Sequence, residues 1–265
     1  DPSFSIQKLD YDDAATYKML GQGETEGVFQ LESSGMKQVL VGLQPQNLED
    51  VIALISLYRP GPMDSIPTYL RNRHEPDKIS YKAPQLAHIL DVTNGCIVYQ
   101  EQVMQIFREL AGFSFGQADN VRRAMSKKKH AVMEAEREHF VHGCTEPGHE
   151  CPGCVANGIS EKVANEIYDE MSSFASYAFN KSHAACYAYV AFQTAYLKCH
   201  YPSEFMAALL TSVLDNTDKV IEYSGECARL GIKVLPPDVN ISNGGFTADN
   251  GKIRFGLNAV KNVGR

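Results

Sequence analysis

The sequence predicts a mainly α protein of many helices that closes with a small β-hairpin segment. Three observations carry this: a helical pattern nearly throughout residues 1–230, breaks set by proline, glycine and capping residues, and a change of character after Gly231. With 265 residues, 44% of them hydrophobic, the chain can bury a substantial core, and one large domain with a small appendage is the expected organisation.

Taken in order, Asp12 or Asp13 caps a short helix ending near Leu20 and Gly21. A second helix runs near Ser33 to Leu43, and Asn47 opens a strongly apolar third through Leu57. Pro60-Gly61-Pro62 ends it, since proline removes a donor and restricts the residue before it. Ser65 and Pro67 read as a cap and a first-turn proline of the next helix. Further helices are predicted at about 99–111, 116–127, 130–142, 160–177, 183–200, 203–214 and 217–230. Residues 143–158 break the rhythm with Pro147, Gly148, Pro152 and Gly153 and read as an inserted Cys/His-rich loop. Over 231–265, Lys233 to Leu235 is a short strand ended by Pro236 and Pro237. Phe246 to Phe255 follows as a hairpin turning at Asn250-Gly251, the preferred chemistry of a type I′ turn.

No run of about 18 apolar residues is present, so no membrane partner is expected. The first residues carry neither a basic region nor an apolar stretch of the secretory kind. The odd count of seven cysteines argues for reduced thiols, and together these features predict a cytoplasmic protein. The missing initial Met and the ending at Val263-Gly264-Arg265 lead to the expectation of a piece of a longer chain.

Against a net charge of -7, five of the 25 Lys and Arg residues are Arg122, Arg123, Lys127, Lys128 and Lys129, with His130 next. Paired guanidinium forks beside ammonium groups suit a triphosphate or a nucleic-acid backbone. The alternative is a solvated helix end whose lysines offset the C-terminal dipole. Asn180 or Ser182 can cap a helix from His183 onward, which puts Lys181 and His183 at a helix N-terminus that favours an anion. Arg59, just before the Pro60-Gly61-Pro62 turn, is either a surface linker or an aimed ligand group. Cys144, His149, Cys151 and Cys154 have the composition of a structural zinc site, with His142 and His139 as alternative fourth ligands. No converging carboxylates for Mg²⁺, no nucleophilic triad and no phosphate-cradling glycine loop accompany them, so the chain reads as able to hold a polyphosphate without acting on it.

The stretches Gly27 to Met36, Leu57 to Met63, Tyr99 to Gln105, Ala118 to Met125, Phe179 to His183 and His200 to Ala208 occur in an order that resembles the replicative C-family polymerases, the alpha subunits of bacterial DNA polymerase III. The resemblance covers nearly the whole chain and implies the helical fingers region of a DNA-directed DNA polymerase, over residues 1–230, followed by the start of a duplex-binding region. It implies a palm with three catalytic aspartates upstream, Mg²⁺ on that palm, and helix-hairpin-helix elements beyond Arg265. Arg122 and Arg123 match the family's paired arginines and would hold the β- and γ-phosphates of a deoxynucleoside triphosphate. Lys181, His183 and Arg59 would be further nucleotide-facing groups, while Lys127, Lys128 and Lys129 keep the solvated-helix-end reading, with contacts to the backbone of primer-template DNA as the second reading. Partners such as the sliding clamp would be met by other parts of the full protein, and this piece alone would be inactive. The family gives no support for zinc, which rests on ligand chemistry alone. The reading from a different class is a non-catalytic helical interaction module that binds a protein or nucleic acid through the basic run.

Overall fold

A computed structural model describes residues 4–127, 130–175 and 177–262. It bears out a mainly α chain with strands near its C-terminal end. The helices are α1 (Ala14–Gly21), α2 (Ser34–Leu43), α3 (Leu48–Leu57), α4 (Ile66–His74), α5 (Ala87–Leu90), α6 (Gln100–Ala111), α7 (Phe115–Ser126), α8 (His130–His142), α9 (Gly153–Ala156), α10 (Glu161–Ala175), α11 (Lys181–His200), α12 (Pro202–Ser212) and α13 (Thr217–Arg229). The strands are β1 (Val234–Leu235), β2 (Thr247–Asp249) and β3 (Lys252–Arg254). Helix starts follow the capping chemistry: the Asp13, Ser33 and Ser114 side chains accept from the amides of Thr16, Met36 and Gln117. Ser65 forms no side-chain cap bond, because a 3-10 turn over Pro62–Ser65 already leads the chain into α4.

Two compact units emerge, one of Asp1–Leu48 with Ala188–Arg265 and one of Glu49–Tyr187. In the second, Phe107, Phe113, Phe140 and Tyr168 form an aromatic centre, with Phe107 lying 5.3, 5.1 and 6.0 Å from the other three rings. Leu110, Ile106, Val121 and Met171 pack around it, each at most 1% exposed. Burial of one such side chain contributes about 1.5–3 kcal/mol, so this cluster fixes how α6, α7, α8 and α10 pack.

In the first unit, Met206, Leu210, Tyr223, Cys227, Phe246 and Ile253 join α12 and α13 to a three-stranded sheet of order β1-β3-β2. β2 and β3 form the predicted hairpin with Asp249 opposite Lys252, and Asn250 and Gly251 take φ of 50° and 74°. β1 pairs parallel to β3, with Val234 beside Ile253. The sequence pattern gave no hint of that parallel partner.

Candidate functional site

The first turn of α6 organises one face of the Glu49–Tyr187 unit. The Phe179 amide donates to the Val98 carbonyl at 3.2 Å, and the Gln100 amide donates back to the Phe179 carbonyl at 2.9 Å. Tyr99 and Phe179 thereby form a parallel bridge. Two stretches separated by some 80 residues in sequence, Tyr99 to Gln105 and Phe179 to His183, are stapled side by side.

Arg122 reaches this bridge from α7. Its Nη1 donates to Oε1 of Gln100 at 3.1 Å, while Nε and Nη2 donate to Oδ1 of Asp119 at 3.0 and 2.7 Å. Arg123 places Nε 2.7 Å from Oδ2 of the same carboxylate. The spacing of Asp119 three and four residues before the two arginines makes this possible, since those positions share a helix face. Arg122 is half-buried at 18% exposure, whereas Arg123 is 65% exposed. The hydrogen bond from Arg122, then its charge and that of Arg123, hold the Asp119 carboxyl below its ordinary range. Both arginines lie in the last two turns of α7, where cations complement the helix dipole. A cleft of about 480 Å³ opens beside Arg122, lined by Gln100, Glu101, Met104, Arg108 and Phe115 among others.

At the start of α11, Oδ1 of Asn180 accepts from the His183 amide at 2.9 Å, as the cap reading expects. The anion invited to this helix end comes from the chain itself. Glu101 accepts from the Lys181 amide at 3.2 Å on each oxygen and from Nδ2 of Asn180 at 3.0 Å. Sequence reasoning missed Glu101, although its place two residues after Tyr99 in a recognised stretch was a signal. The Lys181 ammonium lies 3.0 Å from Glu49 and 5.3 Å from the Tyr99 ring centroid, so its cost at a helix N-terminus is offset by a carboxylate. His183 is exposed, with its ring 4.5 Å from that of Tyr187 and 5.3 Å from that of Phe179.

Arg59 is held tightly in the same unit. Its Nε and Nη2 donate to the carbonyls of Ser56 and Tyr177, both at 2.9 Å, and its guanidinium stacks 4.0 Å from the Phe179 ring centroid. Burial lowers its pKa from the ordinary arginine value. Gly61 turns at φ 101° where an added Cβ would meet the Tyr177 ring at 2.5 Å, so glycine is required there. Lys127 is exposed at the end of α7, and Lys128 and Lys129 lie outside the described residues.

The residues expected to hold zinc are not gathered in this structure. Among the described residues, no three His, Cys, Asp or Glu side chains are grouped to hold a metal ion. Cys144, His149, Cys151 and Cys154 are therefore not assembled as a ligand set. Cys144 and Cys151 face each other across an antiparallel bridge with two 2.9 Å backbone hydrogen bonds. Cys154 faces the aromatic core, fully buried, and desolvation pushes its thiol up to about 12. His149 stays exposed. Gly143 and Gly153 close the loop, since a Cβ on Gly153 would lie 2.3 Å from the Gly143 nitrogen.

α7 thus pairs two arginines on one carboxylate, next to the capped start of α11. The family model for the bacterial DNA polymerase III alpha subunit finger domain matches residues 1–148, more than half of the chain, and the chain belongs to that family. That match includes Arg122 and Arg123 and ends before Lys181 and His183. A helix-hairpin-helix motif model matches residues 231–265, whose described residues form β1, β2, β3 and a 3-10 turn. The chain is 51% identical over 97% of its length to the DNA polymerase III subunit alpha of Thermus aquaticus. It is 46% identical over 98% to that of Bacillus subtilis and 45% identical over 99% to that of Pasteurella multocida. It spans about a fifth of the length of these relatives, 21% to 22%. Among the described residues, no helix is long and apolar enough to cross a membrane.

Proposed function

We propose that this chain is the fingers region of a replicative DNA-directed DNA polymerase and that Arg122 and Arg123 hold the β- and γ-phosphates of the incoming deoxynucleoside triphosphate. The observation that carries this reading is the single Asp119 carboxylate holding two guanidiniums side by side while Arg123 stays 65% exposed. A triphosphate offers the same forks several charged oxygens in place of one carboxylate, and charge-assisted bidentate bonds favour it. As the α–β bond breaks, negative charge grows on the leaving pyrophosphate, and cations already aimed there lower the barrier. Lys181, His183 and Arg59 then act around this centre, with Arg59 as a prop for Phe179 and the bridge. Lys127, with Lys128 and Lys129, contacts the backbone of primer-template DNA.

The residues of this chain do not fit a divalent ion, because no carboxylate group of the required kind is present among the described residues. In this reading Mg²⁺ binds palm carboxylates elsewhere in the full protein, the reaction takes place in the bacterial cytoplasm, and other replisome subunits, the sliding clamp among them, dock outside this piece. The piece alone adds no nucleotide. The decisive test is Arg122→Ala with Arg123→Ala in the full polymerase. A rise in nucleotide KM with a fall in kcat supports the clamp; unchanged constants leave the basic run as a protein- or DNA-docking surface.

A further inference from the structure

We infer that Gln100 is a positioning residue for nucleotide binding, which sets the Arg122 guanidinium against the bridged segment that precedes α11. This rests on the clamp reading above and adds a residue to it. The geometry is specific. Gln100 uses its backbone amide on the Phe179 carbonyl at 2.9 Å, its Nε2 on the Ala178 carbonyl at 3.0 Å, and its Oε1 on Nη1 of Arg122 at 3.1 Å. A primary amide is the side chain suited to this post, because it donates and accepts at once without adding charge. A carboxylate here would accept from Arg122 but could not donate to Ala178, and would bring a second anion to a cation meant for phosphate. An aliphatic side chain would do neither.

The arrangement also divides the work on Arg122. Asp119 occupies the Nε edge of the fork and balances charge. Gln100 occupies the far Nη1 and supplies direction without charge. Directional restraint of a long side chain lowers the entropy lost when ligand binds, so it acts on affinity and on near-attack geometry together. The neighbouring Glu101 ties the same helical turn to α11, so one turn of α6 holds the arginine from one side and the Asn180-Lys181 start from the other.

The test uses the full polymerase and compares Gln100→Leu with Gln100→Glu, each alone and with Arg122→Ala. Gln100→Leu is expected to raise nucleotide KM about tenfold, the range of one hydrogen bond to a charged group. The affinity for primer-template DNA and the melting temperature should stay as in the parent. Gln100→Glu is expected to raise KM further. In the Arg122→Ala background neither change should add to the defect, because the residue through which Gln100 acts is gone. Equal loss in the presence and absence of Arg122, or an unchanged KM in both variants, overturns the role of Gln100 while leaving the clamp intact. If Gln100→Leu lowers the melting temperature, the coupling measured with Gln100→Glu decides alone. Failure of Arg122→Ala itself to alter KM would instead strike the clamp reading.

Discussion

Two cationic centres of this molecule meet carboxylates in opposite ways. Lys198 on α11 is 1% exposed, and its ammonium donates to Oε1 of Glu226 at 2.7 Å and to the Glu26 carbonyl at 2.9 Å. Arg229 closes the Glu226 carboxylate from the other side, at 2.7 and 2.8 Å. The ammonium makes two hydrogen bonds and the carboxylate accepts three, both groups are almost fully buried, and the network pins the loop after α1 to α13. Arg122 and Arg123 share Asp119 at 18% and 65% exposure, and solvent reaches their forks. A buried pair whose partners saturate it is part of the scaffold. A pair of forks on one half-buried carboxylate keeps donors for something else.

The sharpest way to break that contrast is Lys198→Ala. Removing one partner of a buried pair leaves a buried charge, and a loss of about 3 kcal/mol in denaturant unfolding is expected, at the low end because Arg229 still faces Glu226. A loss under about 1 kcal/mol would place Lys198 with the surface pairs. Next, Arg122→Ala with Arg123→Ala in the full polymerase should cut kcat/KM for nucleotide by about a hundredfold, the scale of a lost charge-stabilising contact. Its melting temperature should stay close to the parent's; a large drop would make the arginines scaffold as well. A smaller effect concerns acid. The carboxyl of Asp119 is held low when folded, so its contribution to stability is present above the ordinary carboxylate pKa and is lost as pH falls through the lowered value. Carboxyl NMR should give Asp119 a midpoint below about 3.9, and a midpoint at or above it would mean the arginines are turned away. Least in energy, thiol labelling should modify exposed Cys186 first, while Cys154, pushed up to about 12 by burial, and Cys227, up to about 11, resist until unfolding. Rapid native labelling of Cys154 would reopen the question of an exposed cysteine loop.

Much of the helical order is legible in the residues because caps and breakers act locally. Asp13, Ser33, Ser114 and Asn216 each close their helix through a bond to an amide three residues on. The Asn250-Gly251 turn is equally local. What escaped is set by contacts distant in sequence. The parallel pairing of β1 with β3 depends on the Cys227 and Ile253 core, and α9 forms inside a loop because Cys154 is drawn under the aromatic cluster. At the site, Arg122 and Arg123 stood out by charge density. Gln100 and Glu101 did not, since an amide and an acid on a helix look like solvated surface until the bridge of Tyr99 to Phe179 brings partners from 80 residues away. The cysteine loop is the opposite case: its composition suggests a metal, while what the structure shows there is close glycine contacts and a buried thiol.

Glu101 has one more consequence. Its carboxylate is tied to the same chain as the helix start it neutralises, so it competes at an effective concentration that no free acetate or chloride in a cell approaches. A singly charged visitor gains too little to evict it. In the clamp reading, a polyanion that also engages Arg122 and Arg123 would draw on several contacts at once, and the tethered carboxylate would then act as a threshold that sorts ions by valence.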